Sequence, residues 1–224
     1  MNYTLCIPCL LGLEGPIADE LKRMKLDGVR SENGRVYFVG DEEAIAKANI
    51  GLRIGERVLI EIGCFDAFTF DDLFEGTKAL PWEMLIPKDG AFPVKGYSLN
   101  SKLFSVSDCQ KIIKKAVATR LKSVYGIEWF AETGALYQIQ FSIMKDKVSL
   151  CIDTSGDGLH KRGYRPAHNA APLKETMAAA MVQLSRYRGR EDFCDPFCGS
   201  GTIAIEAALI AKNRDPALLA SSPQ

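Results

Sequence analysis

The stretch FCDPFCGSGTIAIEAALIA, residues 193–211, decides how the C-terminal part of this 224-residue chain folds. A short apolar run is followed by two glycines and then by an apolar segment of helical length, which predicts a strand, a turn and a helix. These three elements open the doubly wound α/β folds, in which ligands bind beside the first turn. The stretch therefore predicts the start of a Rossmann-like domain.

The turn itself indicates what kind of ligand it can accept. GSGTIA at 199–204 satisfies the dinucleotide pattern G-x-G-x-x-[GA], and the absence of a lysine after Gly201 disfavours a nucleoside triphosphate. Gly199 and Gly201 allow a ligand to approach the backbone, and the helix that starts near Thr202 offers free N–H groups to a carboxylate. Asp195 would repel a pyrophosphate but attract an ammonium group. A ligand with both an ammonium and a carboxylate fits these demands, as in the methionine end of S-adenosylmethionine. A turn that needs glycine only for its dihedral angles is the alternative.

Before the turn, the sequence predicts two α+β units. In the first, YTLCIPCLLGLE indicates a strand, and Ile17, Leu21 and Met24 recur at helical spacing. An Asn-Gly turn before the apolar run at 36–39 predicts a hairpin, acidic residues then favour a helix start, and residues 57–62 alternate as a strand does.

In the second unit, a helix is predicted over residues 65–82, followed by a strand in AFPVKGYSLNS. The clearest helix of the chain comes next, with Ser107 as its N-cap, an apolar stripe and Gly126 as its stop. ALYQIQFSIM and KVSLCID predict two strands around the turn KDK. REDFCDPF is predicted to form a short strand ahead of the glycine turn.

Composition excludes several classes of protein. With 47% hydrophobic residues, 25% charged residues and zero net charge, the chain has a globular composition and no global attraction to nucleic acid. It contains no apolar run long enough for a membrane span and no basic region ahead of an apolar start, so we expect a cytoplasmic protein without a membrane partner. Seven cysteines, including Cys6 and Cys9 in a C-x-x-C, are expected to be thiols rather than metal ligands.

Several stretches together resemble one family. DPFCGSGT resembles the first cofactor motif of class I methyltransferases that modify exocyclic amino groups of bases. DTSGDGLHKRGYR, followed by APLKETMAAA, is similar to the segment that precedes this motif in the THUMP-domain RNA methyltransferases, a group also described as N6-adenine-specific DNA methylases. KALPWEMLIP and SKLFSVSDCQKIIKKA resemble the THUMP region, so the resemblance covers residues 1 to about 212. Within the family, the likeness is to the bacterial 23S rRNA guanine-N2 methyltransferase.

The resemblance implies an architecture and a cofactor. It implies an α+β N-terminal ferredoxin-like unit (residues 1–64), a THUMP RNA-binding domain (65–155), and a linker with the start of an α/β Rossmann-like methyltransferase domain (156–224). It also implies S-adenosyl-L-methionine as the cofactor, with the stretch 171–175 near its pocket. The residues at cofactor-loop positions are Asp195, Pro196, Cys198, Gly199, Ser200, Gly201 and Thr202.

Two basic clusters are candidates for contact with RNA, and rRNA is expected over tRNA. Lys111, Lys115 and Lys122 share one side of the long helix, where they can neutralise phosphates, although a plain solvated helix surface is the alternative. The second cluster, on a glycine-rich loop, could grip phosphate and stack on an unpaired base, or could form an interdomain salt-bridge strip. It contains Lys161, Arg162, Tyr164 and Arg165.

The catalytic motif of the family is not found in these 224 residues. The resemblance implies a D/N-P-P-Y/F motif that aims the target amine, and the sequence contains none. We therefore expect the 224 residues alone to bind RNA weakly without catalysis, as part of an enzyme acting on guanine N2 of 23S rRNA. An adenine-N6 methyltransferase, a non-catalytic RNA-binding module and a nicotinamide oxidoreductase using GSGTIA are the alternatives.

Overall fold

A computed structural model describes residues 1–164 and 173–219. The chain forms two compact units: Met1–Val58 together with Ser155–Gln224, and Leu59–Thr154. We call them the split unit and the continuous unit. The predicted domain limits at residues 64 and 155 stay a prediction. They were drawn from a likeness to known domains, whereas these two units are defined by contacts within the chain.

The N-terminal part of the split unit is a small α+β arrangement. Its elements are β1 (Tyr3–Pro8), α1 (Glu14–Arg23), β2 (Asp27–Glu32), β3 (Arg35–Gly40) and α2 (Glu42–Gly51). The three strands are antiparallel in the order β2-β3-β1, and the β2–β3 pair is the hairpin that the Asn-Gly turn predicted. Asp41 caps α2 by accepting a hydrogen bond from the Ala44 N–H at 3.0 Å.

The continuous unit is a second α+β arrangement with a sheet of four strands. Its elements are β4 (Leu59–Asp66), α3 (Phe70–Lys78), β5 (Val94–Leu99), α4 (Val106–Tyr125), β6 (Ile139–Met144) and β7 (Lys147–Asp153). The strand order is β4-β7-β6-β5, with β5 and β6 parallel and the other pairs antiparallel. The core between α4 and the sheet is apolar and includes Trp82, Phe92 and Ile113, all fully buried.

Two predicted helix starts in the continuous unit were wrong. Phe65 does not begin a helix, because it pairs with Val148 in the ladder between β4 and β7. The helix starts after Thr69, whose hydroxyl accepts from the Asp72 N–H while Asp72 accepts from the Thr69 N–H, and this reciprocal cap fixes the start. The N-cap of α4 is Ser105 rather than Ser107.

The C-terminal part of the split unit contains two packed helices, α5 (Glu175–Leu184) and α6 (Thr202–Ala211). α5 also contacts α1. The strand predicted in REDFCDPF does not form: residues 190–197 have no strand assignment, and no described strand pairs with them. A strand needs a neighbour for its backbone N–H and C=O groups, so an apolar run alone does not create one. Within the described ranges, no helix is long and apolar enough to cross a bilayer.

Candidate cofactor loop and RNA-facing surface

The glycine turn leads directly into α6. Gly199 and Gly201 have φ values of +53° and +76°, in the left-handed region that favours glycine. The Gly201 N–H donates to the Cys198 carbonyl at 2.8 Å, which closes the turn, and Gly201 is the N-cap of α6 without a side-chain cap. The N–H groups of the first helical turn therefore have no intrahelical acceptor and are available to an anion.

The remaining loop residues surround this helix start. The Asp195 carboxylate is half-buried and accepts a hydrogen bond from the Phe197 N–H at 3.2 Å, which fixes its side chain at the entrance of the turn. Pro196, Cys198 and Ser200 are exposed. Thr202 is buried, and its hydroxyl lies 3.0 Å from that of Ser200. An acidic group and a free helix N-terminus thus flank one exposed stretch of backbone, which fits a zwitterionic ligand.

Arg162 has a different role from the one its sequence suggested. Its side chain is 1% exposed and its Nη1 donates to Glu206 Oε2 at 2.7 Å, while Nη2 donates to the Arg53 carbonyl oxygen. Glu206, on α6, is fully buried. A guanidinium enclosed in this way presents no surface to a phosphate, so we leave Arg162 out of the proposed RNA contacts.

The two other described members of that cluster, Lys161 and Tyr164, have different partners. The Tyr164 hydroxyl donates to Glu206 Oε1 at 2.8 Å, and burial together with this carboxylate raises the pKa of Tyr164. Lys161 is exposed and forms a surface ion pair with Asp157 at 3.0 Å. Arg165 and residues 171 and 172 lie outside the described residues. Glu206 was not identified from the sequence, because a single acidic residue in an apolar helix forms no recognisable motif.

A second buried carboxylate lies in the split unit. Glu20, on α1, is 4% exposed and accepts hydrogen bonds from the Arg53 N–H at 3.1 Å and the Ile54 N–H at 3.3 Å. The Gln183 side chain on α5 donates to its other oxygen. Burial raises the pKa of Glu20 above its ordinary value, and these hydrogen bonds only partly oppose the rise. Buried polar groups thus connect α1 with α5.

The three lysines predicted on α4 lie on its outer side. Lys111 and Lys115 are exposed and Lys122 is half-buried, opposite the buried Ile113, Val117 and Leu121. Lys111 is 3.6 Å from Asp108, an exposed pair that contributes little. Two other basic residues of α4 are engaged: Lys114 with Glu132 and Arg120 with Glu83. The basic surface is therefore narrower than the sequence suggested.

Aromatic rings beside these lysines were not identified from the sequence. The Lys115 ammonium lies 5.8 Å from the centre of the Phe74 ring on α3, and Lys102 lies 4.9 Å from the Phe68 ring. Phe68 and Phe104 are 51% and 81% exposed. Lysines beside exposed rings combine phosphate attraction with a face on which a base can stack.

The cysteines do not form a metal centre in the part of the chain that the structure describes. No group of three or more His, Cys, Asp or Glu side chains is arranged to bind a metal there. Burial raises the pKa of Cys9 to about 11, which keeps it a thiol rather than a thiolate.

Comparison with known proteins gives three consecutive matches. Residues 4–59 match the RlmL ferredoxin-like domain, residues 67–153 the THUMP domain, and residues 162–222 the RMKL-like methyltransferase domain. The three matches follow one another along almost the whole chain. Their identity and order confirm the resemblance and the fold class predicted from the sequence.

Several proteins are similar to this chain along almost its whole length. YpsC of Bacillus subtilis (strain 168), named as a candidate RNA methyltransferase, is 48% identical over 217 residues, which are 96% of this chain and 56% of YpsC. A Listeria monocytogenes structure, assigned by prediction to the N6-adenine-specific DNA methylases, is 51% identical with a TM-score of 0.92, covering 98% of this chain and 59% of that one. SMU.472, a candidate methyltransferase solved with SAH (S-adenosylhomocysteine), is 41% identical with a TM-score of 0.89, covering 96% and 57%. The chain thus spans a little over half the length of these relatives.

Proposed function

We propose that the full-length protein to which these 224 residues belong transfers a methyl group from S-adenosylmethionine to an exocyclic amino group of a base in RNA. The observation that carries the proposal is the pair of left-handed glycines between Asp195 and the uncapped start of α6. The matches to the THUMP and RMKL-like methyltransferase domains and the SAH complex of SMU.472 support it.

Asp195, Gly199 and the helix start after Gly201 each have a chemical role in this proposal. The free N–H groups that follow Gly201 bind the carboxylate of the cofactor, and Asp195 attracts its ammonium group. Gly199 leaves space for the ligand, since a side chain there would meet only the Phe197 carbonyl oxygen at 3.8 Å. The cofactor supplies a sulfonium-bound methyl group, and the protein supplies binding and orientation.

Calorimetric titration with SAH tests the cofactor loop. Asp195→Asn keeps an oxygen for the Phe197 N–H but removes the charge, so SAH should bind about tenfold more weakly, as expected for losing one charge-assisted contact. Asp192→Asn, at an exposed position nearby, is the matched control and should bind like the unaltered protein. Tight binding of NAD with no binding of SAH would instead favour an oxidoreductase, and binding of RNA without SAH a non-catalytic module.

The finer part of the proposal is the target, which we place at guanine N2 of 23S rRNA. The likeness to the ribosomal guanine-N2 enzymes and the RlmL ferredoxin-like match at residues 4–59 support this choice over adenine N6. Total rRNA and total tRNA would each be incubated with the full-length protein and labelled S-adenosylmethionine, then digested to nucleosides. Label in N2-methylguanosine from rRNA supports the proposal. Label in N6-methyladenosine, or in tRNA alone, contradicts it.

We propose the lysine side of α4 as one surface that contacts RNA phosphates. Lys115 and Lys122 have no acidic partner in the described contacts, unlike Lys114 and Arg120. Each phosphate contact contributes about one unit to the slope of log K against log salt concentration. The double variant Lys115→Gln/Lys122→Gln should therefore lower the slope by about two. Lys88→Gln, on an exposed residue of the same unit, serves as the control and should leave the slope unchanged.

A further inference from the structure

The buried ion pair between Arg162 and Glu206 lies one helical turn from the proposed cofactor loop. Glu206 is four residues after Thr202, the first residue of α6, so it lies on the same side of the helix about one pitch further along. Its carboxylate is fully buried and accepts from Arg162 at 2.7 Å and from Tyr164 at 2.8 Å, one donor on each oxygen. Both rotation and sliding of α6 would break these contacts.

The same guanidinium connects α6 to the N-terminal part of the split unit. Arg162 Nη2 donates to the Arg53 carbonyl oxygen, and the Arg53 N–H donates in turn to the buried Glu20 of α1. A continuous series of polar contacts thus runs from α1 through the Arg53 backbone to Arg162 and Glu206. The rest of α6 offers mainly alanine, isoleucine and leucine side chains, whose contacts are not directional.

This arrangement is costly if its only purpose is stability. Burying a guanidinium and a carboxylate carries a large desolvation penalty, and apolar side chains of similar volume stabilise a fold as well or better. Arg162 Nε has no partner among the described contacts, so the site is not fully compensated. Burial raises the pKa of the Glu206 carboxyl, with Arg162 and Tyr164 opposing the rise. A pair retained under these conditions is better explained by the geometry that it fixes.

We propose that Arg162 and Glu206 are positioning residues that fix α6, and with it the glycine turn at 199–201, in the orientation that binds the methyl donor. The turn is exposed and lies directly before α6, so the orientation of the free N–H groups depends on that of the helix. Binding groups need placement within about half an ångström, which directional contacts provide and apolar packing alone does not. The inference rests on the proposed function, because it takes this turn as the element that binds S-adenosylmethionine.

The test separates positioning from stability with the double variant Arg162→Met/Glu206→Leu. Replacing both charges by apolar groups of similar size should leave the melting temperature near that of the unaltered protein. The dissociation constant for SAH, measured by calorimetry, should nevertheless rise about tenfold, as it does when a supporting contact behind a binding site is removed. Arg214→Met, on an exposed arginine beyond the end of α6, is the matched control and should bind SAH normally.

The outcomes distinguish the inference from the function on which it rests. If the unaltered protein does not bind SAH, the proposed function fails. If the unaltered protein binds SAH and the folded double variant binds it equally well, the pair is only structural and the inference is overturned. If the double variant does not fold, Tyr164→Phe decides: it keeps the ion pair but frees one oxygen of Glu206, and it should weaken SAH binding about threefold, within the usual worth of one hydrogen bond. Unchanged affinity in that variant would also overturn the inference.

Discussion

The two compact units are stabilised in contrasting ways. The core cluster of the continuous unit consists entirely of apolar side chains, with the Phe92 and Phe130 rings packed edge to face at 5.2 Å. The split unit buries charged side chains, including Glu20, Arg162 and Glu206, whereas the buried polar side chains described in the continuous unit are uncharged hydroxyls. Apolar contacts contribute most of the free energy of folding but are weakly directional, whereas buried polar contacts fix orientation. The comparison indicates that accurate geometry matters most in the unit that carries the glycine turn.

The largest expected effect comes from the core of the continuous unit. Trp82→Ala removes a fully buried ring and its hydrogen bond to the Thr77 carbonyl, and should lower the free energy of unfolding by about 4 kcal/mol. Trp129→Ala is the matched control, because Trp129 is 81% exposed and its loss should change stability very little. Urea unfolding followed by fluorescence of the remaining tryptophan measures both. Equal effects of the two substitutions would show that this core does not stabilise the unit.

An intermediate effect on stability is expected at two glycines. Both have left-handed backbone conformations, but only one of them lies in the proposed cofactor loop. Gly201 (φ +76°) starts α6 and Gly126 (φ +61°) ends α4. At both positions there is enough space for a methyl group. Alanine at either position should cost about 1 kcal/mol of stability, because the left-handed region disfavours a side chain. Only Gly201→Ala should also weaken SAH binding. A loss of binding free energy similar to the loss of stability corresponds to a dissociation constant about tenfold higher. Equal SAH affinity in both variants would argue against the turn as the cofactor site.

The smallest effect concerns the pH dependence of the split unit. Burial raises the folded-state pKa of Glu20 above its ordinary value of 4.5, so its contribution to stability is fully present below that value and is lost as pH rises through the folded pKa. Glu20→Gln cannot ionise, so the free energy of unfolding between pH 5 and pH 7 should change less in the variant. Circular dichroism during urea unfolding at both pH values gives the comparison.

The exposed Glu43→Gln is the control for that measurement, and it should keep the slope of the unaltered protein. A steeper fall of stability with pH in Glu20→Gln than in the unaltered protein would contradict the role assigned to this carboxyl.

Much of the fold could be predicted because its signals are local. The hairpin between β2 and β3 follows from an Asn-Gly turn, and α4 from its apolar stripe and Gly126. The glycine turn at 199–201 and the helix after it also appear as predicted. The helix start at Thr69 was missed because a reciprocal cap decides it. The strand predicted at 190–197 does not form, because strands depend on partners that sequence periodicity does not specify.

The candidate site was less predictable, since its chemistry depends on which charges meet. Arg162 resembled a phosphate contact until the structure placed it against Glu206, 44 residues away in sequence. Lys114 and Arg120 lie on the same helix as Lys115, but only Lys114 and Arg120 pair with acids, Glu132 and Glu83. Long-range pairing of this kind cannot be recognised in a single sequence. The motif around Gly199 and Gly201 can be recognised, because its residues are contiguous.

The division of the split unit between both ends of the chain has a consequence for its synthesis. Glu20 is translated 163 residues before Gln183, whose side chain donates to it, so the second oxygen of its buried carboxylate gains this donor only after those residues have been made. The continuous unit has no such delay, because its strands and helices are all translated between residues 59 and 154. Nascent chains should therefore acquire protease resistance first in the middle of the sequence and last at its beginning.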